Sequence, residues 1–412
     1  MENVDYLIIG GGIAGTSAAE TIRKLDASGS IAIVSDEPHR LYSRLTLSKP
    51  DFFLGKIPVS QLWLKPPEWY AQNRIQLVAN KSAVQLDSGQ QTVRLDDGAT
   101  RRYHKLLLAI GGKSCRCEVP GSTAAGIQYL RTLDDAQAII RRLKTATRAA
   151  CLGGGFISFE MCELFTRAGL SVSMVFREPY YWGSLLDEPS GRMVERAMER
   201  AGVALHRNTL ITAFLGMRQV TGLQLQDGTD IAADLVVPGI GAYTPLEWLR
   251  TTGINLNRGI LTDEYFATNL NNVWAAGDCA EFRDLILDEQ VQLGNWVNAQ
   301  QQGKIAGLNM AGQKQPFRMV SFYTTRGFGI TIAFCGDVRA NGRQVIARGS
   351  PEANSYARLI VDDHDELVGA TFINRTHDLG FVSRLIAQNV NVAPIRDRLA
   401  DAHCNLALLN QP

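Results

Sequence analysis

The hydrophobic pattern begins with a short apolar run over Asp5–Ile9, the cluster Gly10-Gly11-Gly12, and apolar positions at helical spacing over Ile13–Leu25. Ile31–Val34 is a second apolar run, ending in Ser35-Asp36-Glu37. Strand, helix and strand within ~30 residues make a βαβ unit the size of a mononucleotide-binding half. Pro66-Pro67 breaks the next stretch, and Asp97-Gly98 marks a hairpin between two short strands. Leu106–Ile110 is a fully apolar strand running into Gly111-Gly112. The pattern then restarts. A helix is predicted over Leu133–Leu143, with Thr132 as its N-cap. A second βαβ unit follows: an apolar strand into Gly153-Gly154-Gly155, a helix over Phe156–Ala168 and a strand over Val172–Phe176. Asp227-Gly228 repeats the hairpin signal of Asp97-Gly98, and Leu235–Gly241 repeats Leu107–Gly112, so the two halves follow one plan. After residue 318 the texture changes. Tyr356–Val361 and Leu367–Ile373 flank Asp362-Asp363-His364-Asp365 as a hairpin, and Leu379–Gln388 reads as a helix.

At 412 residues the chain is too long for one core, and two or three domains are expected. Its 45% hydrophobic and 20% charged residues are those of an ordinary soluble globular protein. A formal charge of +1 provides no global attraction for nucleic acid or an anionic membrane. No apolar run is long enough to span a bilayer, and a first strand starting at Asp5 leaves no room for a cleavable leader. Seven scattered cysteines without a Cys-x-x-Cys argue against a disulfide framework and a zinc site, so a reducing cytoplasm is expected. Six dispersed histidines show no ligand spacing, and no metal is expected.

The glycine turns carry the chemistry. Gly10, Gly12 and Gly15 form Gly-x-Gly-x-x-Gly in strand–turn–helix context, which lets a pyrophosphate approach the backbone at the positive end of a helix. Asp36 follows at the ~20-residue distance of a ribose-binding acid, with Glu37 beside it. The second turn has Gly153 and Gly155, but Ser158 replaces its third glycine, which predicts a helix set slightly farther from its strand. Phe176 ends the following strand where an NAD ribose wants a carboxylate, and Arg177 offers a partner for a 2′-phosphate, so NADH and NADPH both stay open. Two such turns in one chain imply two bound dinucleotides and electron transfer between them.

Three further stretches carry a family resemblance. Thr268-Asn-Leu-Asn-Asn-Val-Trp-Ala-Ala-Gly277-Asp278-Cys279-Ala280 resembles the second FAD signature of the two-dinucleotide-binding flavoproteins, and Leu107–Gly112 resembles their strand-to-glycine crossover. Tyr42-Ser-Arg44-Leu-Thr-Leu-Ser48-Lys49 is similar to the Tyr-x-Arg…Leu-Ser-Lys stretch of ferredoxin, putidaredoxin and rubredoxin reductases and of the flavin domain of assimilatory nitrite reductase. Gly294-Asn-Trp296-Val-Asn-Ala-Gln300 resembles the segment beside their isoalloxazine, with Gly294 in place of the usual glutamate. The redox-active cysteines of dithiol reductases and NADH peroxidases are missing, since no cysteine precedes Cys115.

The resemblance implies an α/β fold with two Rossmann-like dinucleotide-binding domains and a small C-terminal α+β domain. FAD would occupy residues 1–116 with 245–318, NAD(P) residues 117–244, and an interface domain residues 319–412. It puts Lys49 near flavin N5 and Arg44 and Arg131 on FAD. Gly10, Gly12, Ala14, Gly15, Asp36, Glu37, Ala83, Gly277, Asp278 and Trp296 complete that site. Gly153, Gly155, Phe156, Ile157, Arg177 and Gly241 are the candidates for the coenzyme, and Glu160 would hold the nicotinamide carboxamide and pair with Lys49. Lys49 and Glu160 are the candidate catalytic residues; an ammonium near N5 stabilises an anionic reduced flavin. Cys115 and Cys117 read as free thiols and Cys279 as a packing residue, while Arg326, Arg339 and Arg343 read as scattered solvated arginines, with a docking patch for an acidic carrier as the alternative.

The resulting expectation is an FAD enzyme that takes hydride from NADH or NADPH and passes electrons to an iron–sulfur carrier of the rubredoxin or ferredoxin type. The alternatives are an oxidase or quinone reductase, and a non-catalytic flavoprotein subunit or redox sensor resembling apoptosis-inducing factor. A homodimer is compatible with each.

Overall fold

The apolar runs become parallel strands buried on both faces, which is why they read as unbroken rather than alternating. In the computed structural model, which describes residues 2–408, the chain divides into two compact units. The first comprises Met1–Ser43, Val59–Lys113 and Ala242–Met319; the second comprises Arg44–Pro58, Ser114–Gly241 and Val320–Pro412.

In the first unit the strands Ile75–Val78, Ile31–Val34, Glu2–Ile9 and Thr100–Leu108 lie side by side in parallel. Val273–Ala275 pairs parallel with the far end of Thr100–Leu108, and Thr92–Leu95 and Ala83–Asp87 continue the sheet antiparallel from its near end. Register sets the function of this sheet. Ile9 stands opposite Val34 and Leu108, and Leu108 opposite Ala275. The chain therefore leaves four strands along one edge, the carboxyl edge where open α/β sheets bind ligands. Leu7, Ile8, Leu106 and Leu107 are fully buried at its centre. The Ile13–Leu25 helix packs on the Trp296–Met310 helix through small residues. A Cβ on Gly303 would collide with the carbonyl of Ala14, and one on Gly307 would stand 2.8 Å from that of Ala18.

The second unit repeats the plan with a parallel sheet ordered Ala204–His206, Ser171–Val175, Arg148–Leu152 and Leu235–Pro238. Leu152 aligns with Val175 and Pro238, so again the strands end together. The hairpin expected at Asp227-Gly228 joins Gly222–Leu225 to Asp230–Ala232 in a three-stranded antiparallel meander. The Leu133–Leu143 helix starts at a capping box in which Thr132 accepts from the Asp135 amide and the Asp135 carboxylate accepts from the Thr132 amide. Residues beyond 320 form a five-stranded antiparallel sheet ordered Phe322–Gly327, Ile330–Gly336, Leu367–Ile373, Ser355–Val361 and Gln344–Ser350, with the Leu379–Ala387 helix packed on it. The α/β reading with a C-terminal α+β region is the fold observed.

Candidate active site

In the first unit, Gly10 adopts φ +122°, and a Cβ there would collide with the carbonyl oxygen of Ala109, so the turn is closed to other residues. Gly12 differs: a Cβ on it would meet nothing within 4 Å. It is the N-cap of the Ile13–Leu25 helix, with no side-chain cap and no acid in the first turn, which leaves amide donors and a positive helix end facing open space. Ala14 and Gly15 lie buried just inside this helix. Gly277 reaches the same place from the other side, where a Cβ would stand 3.1 Å from that of Ala14. Its amide donates to Gln302 Oε1 at 2.8 Å, while Gln302 Nε2 is buried without a partner. A cradle of this kind, with free amides and an unspent buried donor, suits a pyrophosphate.

Along the same edge Glu37 accepts a 2.6 Å hydrogen bond from Tyr42, and Asp36 is exposed. Asp278 is half-buried and flanks the open side of Gly294, whose Cβ would stand 3.5 Å from Asp278 Oδ1. Trp296 opens its helix and is half-buried, as is Ala83 at the start of its strand. Cys279 is packed in the core, where burial pushes its thiol up to about 12, and its Sγ meets the Leu108 carbonyl. That is an inert packing residue rather than a nucleophile.

In the second unit, Gly153 has φ +96°, and Gly155 is an N-cap without a side-chain cap, again with no acid in the first helical turn. Ser158 is fully buried and donates to the Leu152 carbonyl at 2.9 Å. The space for it comes from the neighbouring strand end: a Cβ on Gly239 would stand 2.5 Å from Ser158 Oγ. The first turn has the opposite arrangement, a glycine at position 15 and Ala109 across from Gly10, so the second turn accommodates its serine by a small residue opposite. Phe156 and Ile157 begin the helix half-buried, and Gly241 lies exposed beyond the strand Leu235–Pro238.

The stretch after the strand Ser171–Val175 departs from the sequence expectation in one respect. Phe176 is buried and Arg177 exposed, but Glu178 bends back over the turn, with Oε2 3.3 Å from where a Gly154 Cβ would stand. Arg177 Nε lies 3.4 Å from Glu178 Oε1. A carboxylate is therefore present at the turn, two residues later than the strand-end position that sequence spacing points to.

Lys49 and Glu160 meet at 2.5 Å between Nζ and Oε1. Glu160 sits one turn into the Phe156–Arg167 helix, with its side chain 3% exposed, whereas that of Lys49 is 42% exposed. Lys49 is placed by the 3-10 turn Arg44–Ser48 and the short helix Pro50–Phe53, which buries Phe52 and Phe53. Asp51 in that short helix accepts from Arg167 at 3.0 Å, fixing the segment on the far end of the glutamate's helix. Arg44 donates to the Arg131 carbonyl at 2.8 Å, and the Arg131 amide donates to Asp135. A second donor reaches Glu160 that the sequence did not reveal: Thr325 Oγ1, at 2.6 Å. Arg339 and Arg343 both pair with Asp337 at 2.7 and 2.6 Å, so they are spent on a buried carboxylate.

A family model described as pyridine nucleotide-disulphide oxidoreductase matches residues 4–303, and one described as reductase C-terminal matches residues 325–409. The chain belongs to the pyridine nucleotide-disulphide oxidoreductase family. Among its relatives in the family, the biphenyl dioxygenase system ferredoxin–NAD(+) reductase component of Paraburkholderia xenovorans is 31% identical over 399 residues, 97% of this chain and 96% of that one. Rubredoxin-NAD(+) reductase of Pseudomonas putida is 30% identical over 342 residues, 83% of this chain and 89% of the other. Among solved structures, the covalent putidaredoxin reductase–putidaredoxin complex matches with a TM-score of 0.92 at 26% identity, over 99% of this chain and 98% of that chain. Among the described residues no helix is long and apolar enough to cross a membrane.

Proposed function

We propose that this protein is an FAD-dependent NADH oxidoreductase that delivers electrons to a soluble iron–sulfur carrier of the ferredoxin or rubredoxin type. The observation that carries the reading is the pair of glycine turns, each opening a helix whose first amides are uncapped, in a chain with no cysteine before residue 115. Two dinucleotide cradles in a chain with no cysteine before residue 115, where a redox-active thiol would stand, leave direct flavin chemistry as the route. FAD, when bound, accepts hydride from the reduced nicotinamide and releases its electrons singly.

The rest is the work of the protein. The turn at Gly10, Gly12 and Gly15 and the Gly277-Asp278 segment hold the FAD pyrophosphate and ribityl chain, and Asp36 and Glu37 hold its ribose. The Gly153–Gly155 turn holds the coenzyme pyrophosphate. Glu160 accepts from the nicotinamide carboxamide, and Lys49 supplies the positive charge that favours an anionic reduced flavin. Glu178 receives the adenosine ribose hydroxyls; a 2′-phosphate would meet its charge, which favours NADH. The relatives named as NAD(+) reductases and the structure captured with putidaredoxin support both the donor and the class of acceptor. The seven cysteines are free thiols, in keeping with a cytoplasmic home.

Stopped-flow reduction of the FAD-loaded protein by NADH and by NADPH tests this reading. Rapid bleaching of the flavin band by NADH and much slower bleaching by NADPH is the expected result. Bound flavin that neither coenzyme reduces would overturn it in favour of a subunit or sensor role.

A further inference from the structure

The strand Phe322–Gly327 lies along the Phe156–Arg167 helix in matched register. Inward positions recur every second residue in a strand and every third or fourth in a helix, and here the two series coincide. Tyr323 packs on Phe156 with ring centroids 5.0 Å apart. Two residues on, Thr325 Oγ1 donates to Glu160. Two further on, Gly327 allows an approach so close that a Cβ there would stand 2.6 Å from both Glu163 Oε2 and Phe159 Cε1. The Phe328 ring then packs on Phe159 with centroids 5.4 Å apart. An element of the C-terminal sheet is thus fitted, position by position, to the face of the helix that carries the carboxylate.

The two donors on Glu160 are unequal. Lys49 reaches it with a long side chain that is 42% exposed. Thr325 is 1% exposed and β-branched, so its hydroxyl has little freedom once the strand is in place. Burial, with the Glu160 charge nearby, holds the Tyr323 phenol well above its ordinary range, so it stays neutral beside that carboxylate. Both donors engage Oε1. A carboxylate fixed through one oxygen presents the other in a defined direction.

We propose that Thr325 is the positioning residue of the coenzyme site: it fixes Glu160 through Oε1 so that Oε2 receives the carboxamide N–H of NADH. This rests on the assignment of Glu160 to that carboxamide made above. The C-terminal sheet thereby takes part in coenzyme recognition.

The test is anaerobic stopped-flow titration of the FAD-loaded enzyme with NADH, in Thr325→Val, Thr325→Ser and Glu160→Gln variants. Thr325→Val keeps the shape and removes the hydroxyl, and should raise the Kd for NADH roughly tenfold, the scale of one hydrogen bond to a charged group. Dithionite, which needs no carboxamide contact, should still reduce its flavin at the parent rate. Thr325→Ser restores the hydroxyl and drops the methyl, and should stay within about twofold of the parent. A residue that served only to pack would show the reverse order, with serine the poorer variant, and that result would overturn the proposal. Should the valine variant fail to fold, Thr325→Ala replaces it with the same expectation. Parent-like binding by Thr325→Val alongside impaired Glu160→Gln would overturn the role of Thr325 and leave that of Glu160. Parent-like binding by Glu160→Gln would overturn both.

Discussion

Glu163 is a half-buried carboxyl on the Phe156–Arg167 helix. Burial raises its pKa; Arg167 and the Phe328 amide oppose the shift, the neighbouring Glu160 charge adds to it, and Lys49 again opposes it. A carboxyl whose folded-state pKa lies above its unfolded value binds its proton more tightly when folded. Its contribution is fully present below the unfolded pKa and falls as pH rises through the folded one. Glu163→Gln should therefore gain nothing in Tm over the parent below the ordinary glutamate pKa of about 4.3, and gain progressively from there towards neutrality. A Tm difference that is flat across this range would contradict the assignment. At the second turn, Glu178→Gln should raise the KM for NADH about tenfold and leave that for NADPH unchanged or lower, read from flavin bleaching rates. Equal losses for both coenzymes would remove Glu178 from selection. Most candidate residues were readable because glycine, lysine and glutamate declare themselves by type and spacing. Thr325 and Glu178 were not, because a threonine in a strand and an acid after an arginine are ordinary in any chain. The roles proposed for them rest on what the fold brings near them.

Elements were legible where their pattern was uniform. The helices Ile13–Leu25 and Leu133–Leu143 begin and end where the sequence predicts, and Ile31–Val34 does so among the strands. Phe322–Gly327 escaped notice for a physical reason: its buried positions are Thr325 and Gly327, so no apolar alternation marks it. Gln344–Ser350 hides in the same way, with Arg348 fully buried. That guanidinium meets Asp378 at 2.8 Å and the carbonyls of Leu399, Asp401 and Cys404, while Arg375 meets the same Asp378 at 2.7 Å. The node ties the chain after residue 396 to the C-terminal sheet. Removing the charge with Asp378→Asn leaves two buried guanidinium groups uncompensated and should cost about 3 kcal/mol or more in urea denaturation. A loss under ~1 kcal/mol would show that the carbonyls alone hold the node. In the first unit, Gly303→Val forces apart helices that touch at Ala14 and should cost about 1–3 kcal/mol together with retention of FAD on a desalting column.

At the scale of the whole molecule, one plan is used twice with different fittings. Both parallel sheets end their strands together and open an uncapped helix at that edge, and both hairpins that sequence spacing marked are present. The hydrophobic pattern conveys this repeat because parallel strands must be apolar on both faces. It conveys nothing of the acceptor, since a surface that meets an electron carrier is made of ordinary exposed residues. The central claim is that electrons entering from NADH leave one at a time to an iron–sulfur protein. Steady-state NADH oxidation by the FAD-loaded protein, first under air and then with added [2Fe–2S] ferredoxin or rubredoxin, tests it most directly. Slow turnover with oxygen that rises sharply on adding a carrier is the predicted result. Fast turnover with oxygen or a quinone that no carrier increases would contradict it.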